Sequence, residues 1–269
     1  MDTTLAAILL GILEGLTEFL PVSSTGHLIM ATELFGYDAE DWRVYNVVIQ
    51  LGAILAVVVQ YWRTFWGVGT GLLRLEPSSI AFTRNILLGF LPAAVLGFLL
   101  KDYINALLGS PLVVAWALVL GGIAIIAIER SVKPGSQQGV ANLPVRQALG
   151  VGLCQCLAMV PGVSRSGATI MGALMMGVER KTAAEFSFFL AVPTMLGAAT
   201  LQIVANRDLI ASDVGAGWPE IVMGFIAAFL TALFVIRLFV AYVSRTGFTP
   251  FAYYRIVIGL LAIYLFGIV

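Results

Sequence analysis

Charged side chains are scarce in this 269-residue sequence: Asp, Glu, Lys and Arg make up 11% of it, where a soluble domain carries about 25%. Hydrophobic residues make up 60%, and the mean hydropathy is +0.98. A soluble chain needs a larger charged surface to stay dissolved. The composition therefore excludes a soluble enzyme, a disordered chain and a nucleic-acid binder with a basic face. Neither sign of charge is in excess, with 15 acidic and 15 basic residues, and His27 is the single histidine. Cys154 and Cys156 are too few for a disulfide framework or a four-ligand zinc site. They read as small buried hydrophobes. No basic segment precedes the first apolar run, as it does in a signal peptide, so the whole chain is expected to be mature protein. No phosphate-loop or dinucleotide motif is present.

Apolar runs are what the sequence has in abundance. A helix needs about 20 apolar residues to cross the bilayer core. Stretches 44–62, 85–100, 111–128, 183–204, 221–240 and 251–269 approach or meet that length. They lack strand alternation, so six transmembrane helices are expected. Two further apolar stretches, 4–36 and 148–178, are interrupted. The first breaks at Pro21-Val22-Ser23-Ser24-Thr25-Gly26-His27, the second at Pro161-Gly162-Val163-Ser164-Arg165-Ser166-Gly167. Proline, glycine and clustered hydroxyls end one helix and start another. Each half is short for a span, so both stretches are expected to be re-entrant helix–loop–helix hairpins.

The chain also parallels itself. The first break matches the second, Ile86-Leu87-Leu88-Gly89-Phe90 matches Ile221-Val222-Met223-Gly224-Phe225, and Leu118-Val119-Leu120-Gly121 matches Ile256-Val257-Ile258-Gly259. The offsets, taken between the matched glycines, are 141, 135 and 138 residues. Each half holds one hairpin and three spans, an odd number of crossings, which turns the second half upside down. The expected fold is thus an all-α polytopic membrane protein: six transmembrane helices, two re-entrant hairpins and two inverted-topology repeats. One membrane domain covers 1–269, with repeat one at about 1–130, a cytoplasmic linker at about 131–145 and repeat two at about 146–269.

Loops 63–84, 129–147, 179–182 and 241–250 then share one face and hold Arg63, Arg74, Arg84, Arg130, Lys133, Arg146, Arg180, Lys181 and Arg245. The other face has Arg43, Lys101 and Arg207. The excess of cations places the first face in the cytoplasm and both termini outside it.

Few residues in the apolar stretches bear chemistry. Glu14 and Glu18, four apart, share one helix face. Acids at membrane depth are costly and commonly face a cavity with a partner; the plainer alternative is a solvated interfacial pair. Ser23, Ser24, Thr25 and Gly26 open a helix, where N–H groups are offered to an anion and a serine serves as cap. His27 beside them is a candidate acid, base or nucleophile. Arg165, flanked by Ser164, Ser166, Gly167 and Thr169, repeats the anion cradle with a bidentate phosphate partner. A structural ion pair with Glu14 or Glu18 is its alternative. Glu185, Arg237 and Arg255 read as structural or snorkelling charges.

The run Glu14-Gly15-Leu16-Thr17-Glu18-Phe19-Leu20-Pro21-Val22-Ser23-Ser24-Thr25-Gly26-His27 resembles the first signature of the bacterial undecaprenyl-pyrophosphate phosphatases, the bacitracin-resistance phosphatases. Pro161 to Thr169 resembles the second signature, and Glu185-Phe186-Ser187-Phe188 through Ala191-Val192-Pro193 is also similar. The resemblance covers essentially the whole chain. It implies hydrolysis of undecaprenyl diphosphate to the monophosphate, which recycles the lipid carrier of cell-wall synthesis in the bacterial inner membrane. It implies a divalent cation, Mg2+ or Ca2+, with metal and acid/base roles on Glu14 and Glu18. It places the nucleophile on Ser24 with His27 beside it, and the phosphate clamp on Arg165.

The expected partners are the polyprenyl diphosphate and membrane lipids; a homodimer is left open. Resemblance does not decide between Ser24 and His27 as nucleophile. From their spacing, Ser24 is expected to attack and His27 to take its proton. The competing class is a transporter or flippase for a phosphorylated lipid, since inverted repeats with broken helices also build carriers. A site opening to the periplasmic or extracellular side is expected.

Overall fold

A computed structural model describes residues 2–38, 41–108, 110–133, 135–205 and 216–267. Arg207 and the last two residues of the predicted 251–269 span lie outside the described residues. The described chain is helical. In order come α1 (Thr3–Thr17), α2 (Ser24–Leu34), α3 (Arg43–Gln60), α4 (Trp62–Leu73), α5 (Pro77–Leu99), α6 (Lys101–Leu108) and α7 (Pro111–Ser131). They are followed by α8 (Val145–Gln155), α9 (Arg165–Met175), α10 (Arg180–Ala205), α11 (Trp218–Thr246) and α12 (Thr249–Gly267).

Six helices, α3, α5, α7, α10, α11 and α12, are long and apolar enough to cross a membrane. They coincide with the six predicted stretches, and the chain is a multi-pass membrane protein. The main departure is at α5, which starts at Pro77 rather than 85. Proline at the first turn begins the helix, since its missing N–H would be unpaired there in any case. Just past that extra length Asn85 ties the helix to the fold: its Nδ2 donates to the carbonyls of Val140 and Leu143, both at 2.8 Å. The expected loop 63–84 is therefore mostly helix, with α4 exposed along Trp62, Trp66 and Leu73.

The broken stretches are α1/α2 and α8/α9. Their first halves pack against the opposite half of the chain through paired glycines. A Cβ on Gly11 of α1 would come within 2.3 Å of the Gly224 carbonyl in α11. A Cβ on Gly152 of α8 would come within 2.6 Å of the Gly89 carbonyl in α5. Such contacts let helix backbones approach closely where no hydrophobic drive separates lipid from protein. Between the two stretches, Phe19, Phe186, Phe188, Phe239 and Phe248 form a buried aromatic core, Phe19 meeting Phe188 edge-on at 5.1 Å. The cysteines correct the expectation of burial: Cys154, on α8, and Cys156, just past its end, are both half-buried.

Candidate active site

The two breaks are built alike. Ser23 holds φ 71° and Ser164 φ 77°, the left-handed region that few non-glycine residues adopt. Each uses its side chain as a cap. Ser23 Oγ accepts from the Gly26 N–H at 3.4 Å, and Ser164 Oγ from the Gly167 N–H at 3.0 Å. With the cap supplied by the preceding serine, the next residue is free to turn elsewhere. In the first break that residue is Ser24; in the second it is Arg165.

Both turn to one carboxylate. Ser24 Oγ donates to Glu18 Oε2, and Arg165 Nη2 donates to Glu18 Oε1 at 2.7 Å. Glu18, at the C-terminal end of α1, and Ser24 are both buried. Arg165 Nη1 donates to Ser187 of α10, to its carbonyl at 2.9 Å and its Oγ at 3.3 Å. Thr169 Oγ1 donates to Ser187 Oγ at 2.8 Å. The Arg165 Nε–H is buried without a partner, and Nη2 has a second N–H beyond the one on Glu18. The guanidinium thus keeps donors on adjacent nitrogens for a ligand.

Ser166 joins the breaks. Its Oγ donates to the Leu20 carbonyl at 2.7 Å and lies 3.1 Å from Ser164 Oγ. Thr25 is half-buried. Gly26 leaves no room for a side chain, since a Cβ would meet Val114 Cγ1 at 2.8 Å. The N-termini of α2 and α9 therefore come together with Glu18 between their first residues. Glu14, one turn before Glu18, is fully buried and neither carboxylate oxygen has a partner.

His27 is engaged away from Ser24. Its Nδ1 is 2.8 Å from the Ser23 carbonyl, which can only accept, so Nδ1 carries the proton. Nε2 of the neutral ring then accepts from Tyr254 Oη at 2.8 Å, with the two rings stacked at 5.5 Å. The partner of the serine hydroxyl is Glu18.

Three residues beside the site carry roles that sequence reasoning did not assign. Ser187 stood only within a run of family resemblance, and Tyr254 lies two residues before the matched run Ile256-Val257-Ile258-Gly259. Arg255 is 1% exposed and donates to backbone carbonyls of both breaks, which is structural but the reverse of snorkelling. The signal for it was an arginine in an apolar span opposite Gly121-Gly122. Arg237, by contrast, is exposed and bonds Gln60 Oε1 at 2.7 Å, and Glu185 is half-buried.

A family model described as "Bacitracin resistance protein BacA" matches residues 7–261. The undecaprenyl-diphosphatase of Novosphingobium aromaticivorans is 70% identical over 264 residues, 98% of each chain. That of Sphingopyxis alaskensis is 58% identical over 252 residues, 94% of each chain. Undecaprenyl-diphosphatase 3 of Acinetobacter baylyi is 46% identical over 259 residues, 96% of each chain.

Proposed function

The chain belongs to the bacitracin resistance protein BacA family, and on that premise we propose that it is an integral-membrane undecaprenyl-diphosphatase. It hydrolyses undecaprenyl diphosphate to undecaprenyl phosphate and phosphate, recycling the carrier lipid of the cell wall. The observation that carries this reading is the Glu18 carboxylate shared by a serine hydroxyl and an arginine at two adjoining helix N-termini. A carrier needs an anion site but has no use for a serine already hydrogen-bonded to a carboxylate, and no observation favours the transporter alternative.

In this reading Ser24 Oγ attacks the terminal phosphorus while its proton passes to Glu18 Oε2. The bond from that phosphorus to the bridging oxygen breaks, and undecaprenyl phosphate leaves with the electron pair. Water then displaces the serine, Glu18 returns the proton to Ser24 Oγ, and phosphate departs. Arg165 holds the terminal phosphate with its unused donors, and the first N–H groups of α2 and α9, at Thr25 and Ser166 beside the serine-capped Gly26 and Gly167, stabilise the charge that develops. Thr169 and Ser187 hold the guanidinium in place. His27 steadies the first break through the Ser23 carbonyl.

The unpartnered oxygens of Glu14 fit a divalent cation. Among the described residues no group of three or more His, Cys, Asp or Glu side chains is placed to hold a metal. Glu14 and Glu18 would hold the ion together with diphosphate oxygens and water, the usual pattern for Mg2+. When bound, the ion neutralises part of the diphosphate charge.

The finer architecture is part of the same proposal. At 15 residues, α1 is about 22 Å long and falls short of a bilayer core of about 30 Å, which supports a re-entrant first stretch. The matched serine caps and the crossed glycine pairs, 11 with 224 and 152 with 89, support two inverted repeats. The cationic loops then face the cytoplasm of the bacterial inner membrane, the termini lie outside, and the site opens outward.

The test is phosphate release from undecaprenyl diphosphate by the purified protein in detergent, where no gradient exists. Ser24→Ala is expected to abolish it, and acid quench of the wild type to trap an acid-stable phosphoserine. An acid-labile adduct on His27 would move the nucleophile to the imidazole, and absence of any phosphate release would leave a carrier.

A further inference from the structure

Arg255, in the first turns of α12, has a guanidinium with five N–H donors, and each meets a different backbone carbonyl. Nε donates to Leu118 at 3.3 Å. Nη1 donates to Pro21 at 3.1 Å and Val163 at 2.9 Å. Nη2 donates to Ala117 at 3.0 Å and Gly162 at 2.9 Å. The five acceptors belong to three pieces of chain: the first break, the second break and α7. Gly121 makes the approach to α7 possible, since a Cβ there would stand 2.0 Å from Nη2.

Two consequences follow from this saturation. Arg255 has no donor left for a phosphate, so it is not a ligand of the substrate. Its charge is compensated by carbonyl dipoles from both breaks at once, which binds their separation to the rigid shape of one planar group. Pro21 lies three residues before Ser24, and Val163 two before Arg165. We propose that Arg255 is a positioning residue for phosphoryl transfer, holding the two breaks in the register that brings Ser24 and Arg165 to the same carboxylate and the same phosphate. This inference rests on the phosphatase reading above.

An arginine serving only to pack helices would act on stability and leave turnover per folded molecule unchanged. The experiment separates these with Arg255→Lys, which keeps the charge and loses the fork, and Gly121→Ala, which keeps the arginine and displaces it. Glu129→Gln is the control, because Glu129 steadies the start of the same helix, about two turns before Arg255, by accepting from the Phe248 N–H at 2.9 Å and Thr249 Oγ1 at 2.7 Å. Melting temperature, kcat and KM are measured in detergent with undecaprenyl diphosphate. Positioning predicts that kcat falls about a hundredfold in both test variants, the scale of an ångström-sized misplacement. KM should stay within about threefold, because the lipid and the Arg165 donors are retained. Glu129→Gln should lose stability and keep its kcat.

Turnover near wild type in folded Arg255→Lys or Gly121→Ala overturns the proposal, as does an equal kcat loss in the control at matched stability. Failure of both test variants to fold assigns Arg255 to folding alone and overturns it too. Failure of the phosphatase reading shows separately, as absence of phosphate release by the wild type.

Discussion

Replacing Arg165 by lysine keeps one positive charge beside Glu18 and removes the planar fork. The wild-type side chain has five N–H donors. One is spent on Glu18 Oε1 at 2.7 Å and two on Ser187, leaving Nε–H and one Nη2–H. A lysine ammonium has three donors on one atom; paired with Glu18, it cannot also present two parallel donors to a phosphate. Each charge-assisted hydrogen bond lost from the transition state is worth about 1.5–3 kcal/mol. Two of them amount to about 3–6 kcal/mol, or roughly a 10²- to 10⁴-fold fall in kcat/KM. Lysine is the cleaner choice than alanine, because alanine would leave Glu18 buried without a counter-charge and cost about 3–5 kcal/mol of fold stability as well. The assay is phosphate release from undecaprenyl diphosphate in detergent, with a thermal melt to establish that the variant is folded. A folded Arg165→Lys enzyme within about threefold of wild-type kcat/KM would refute the clamp and leave the Arg165–Glu18 contact as a structural ion pair.

Two further expectations concern the cation and the orientation. Glu14→Gln removes a carboxylate oxygen without breaking any hydrogen bond of the structure, so the fold should hold while the cation concentration for half-maximal activity rises about tenfold or more; an unchanged titration would separate Glu14 from the metal. Asp41→Cys and Gln138→Cys, in a chain with Cys154 and Cys156 replaced by alanine, should label with an impermeant maleimide from opposite sides of the membrane, Asp41 from outside; labelling from one side would mean that a hairpin or span has been misassigned.

Much of the candidate site was legible because membrane depth makes polar residues expensive and therefore conspicuous. Glu14, Glu18, Ser24, His27 and Arg165 stand out against apolar neighbours, and the structure brings Glu18, Ser24 and Arg165 into direct contact. What spacing could not convey is which side chain serves which neighbour. His27 is one turn from Ser24 in sequence, yet its ring turns to the Ser23 carbonyl and to Tyr254, 227 residues away. The reason is local: Ser23 adopts a left-handed conformation and takes the cap, which leaves Ser24 to face Glu18.

By itself the sequence determined the class of molecule and the six spans, because an apolar run of sufficient length has no other way to satisfy its backbone in lipid than as a helix. It also determined where the helices break, since proline and glycine act on the chain locally. Only the tertiary structure decided the role of Asn85 in α5, which finds the carbonyls of Val140 and Leu143 across the fold. The same holds for Arg255, a single charge in an apolar span by sequence. Its meaning depends on five carbonyls that chain segments from residue 21 to residue 163 deliver to one point. Backbone carbonyls are common to every residue type, so no pattern of side chains could have announced them.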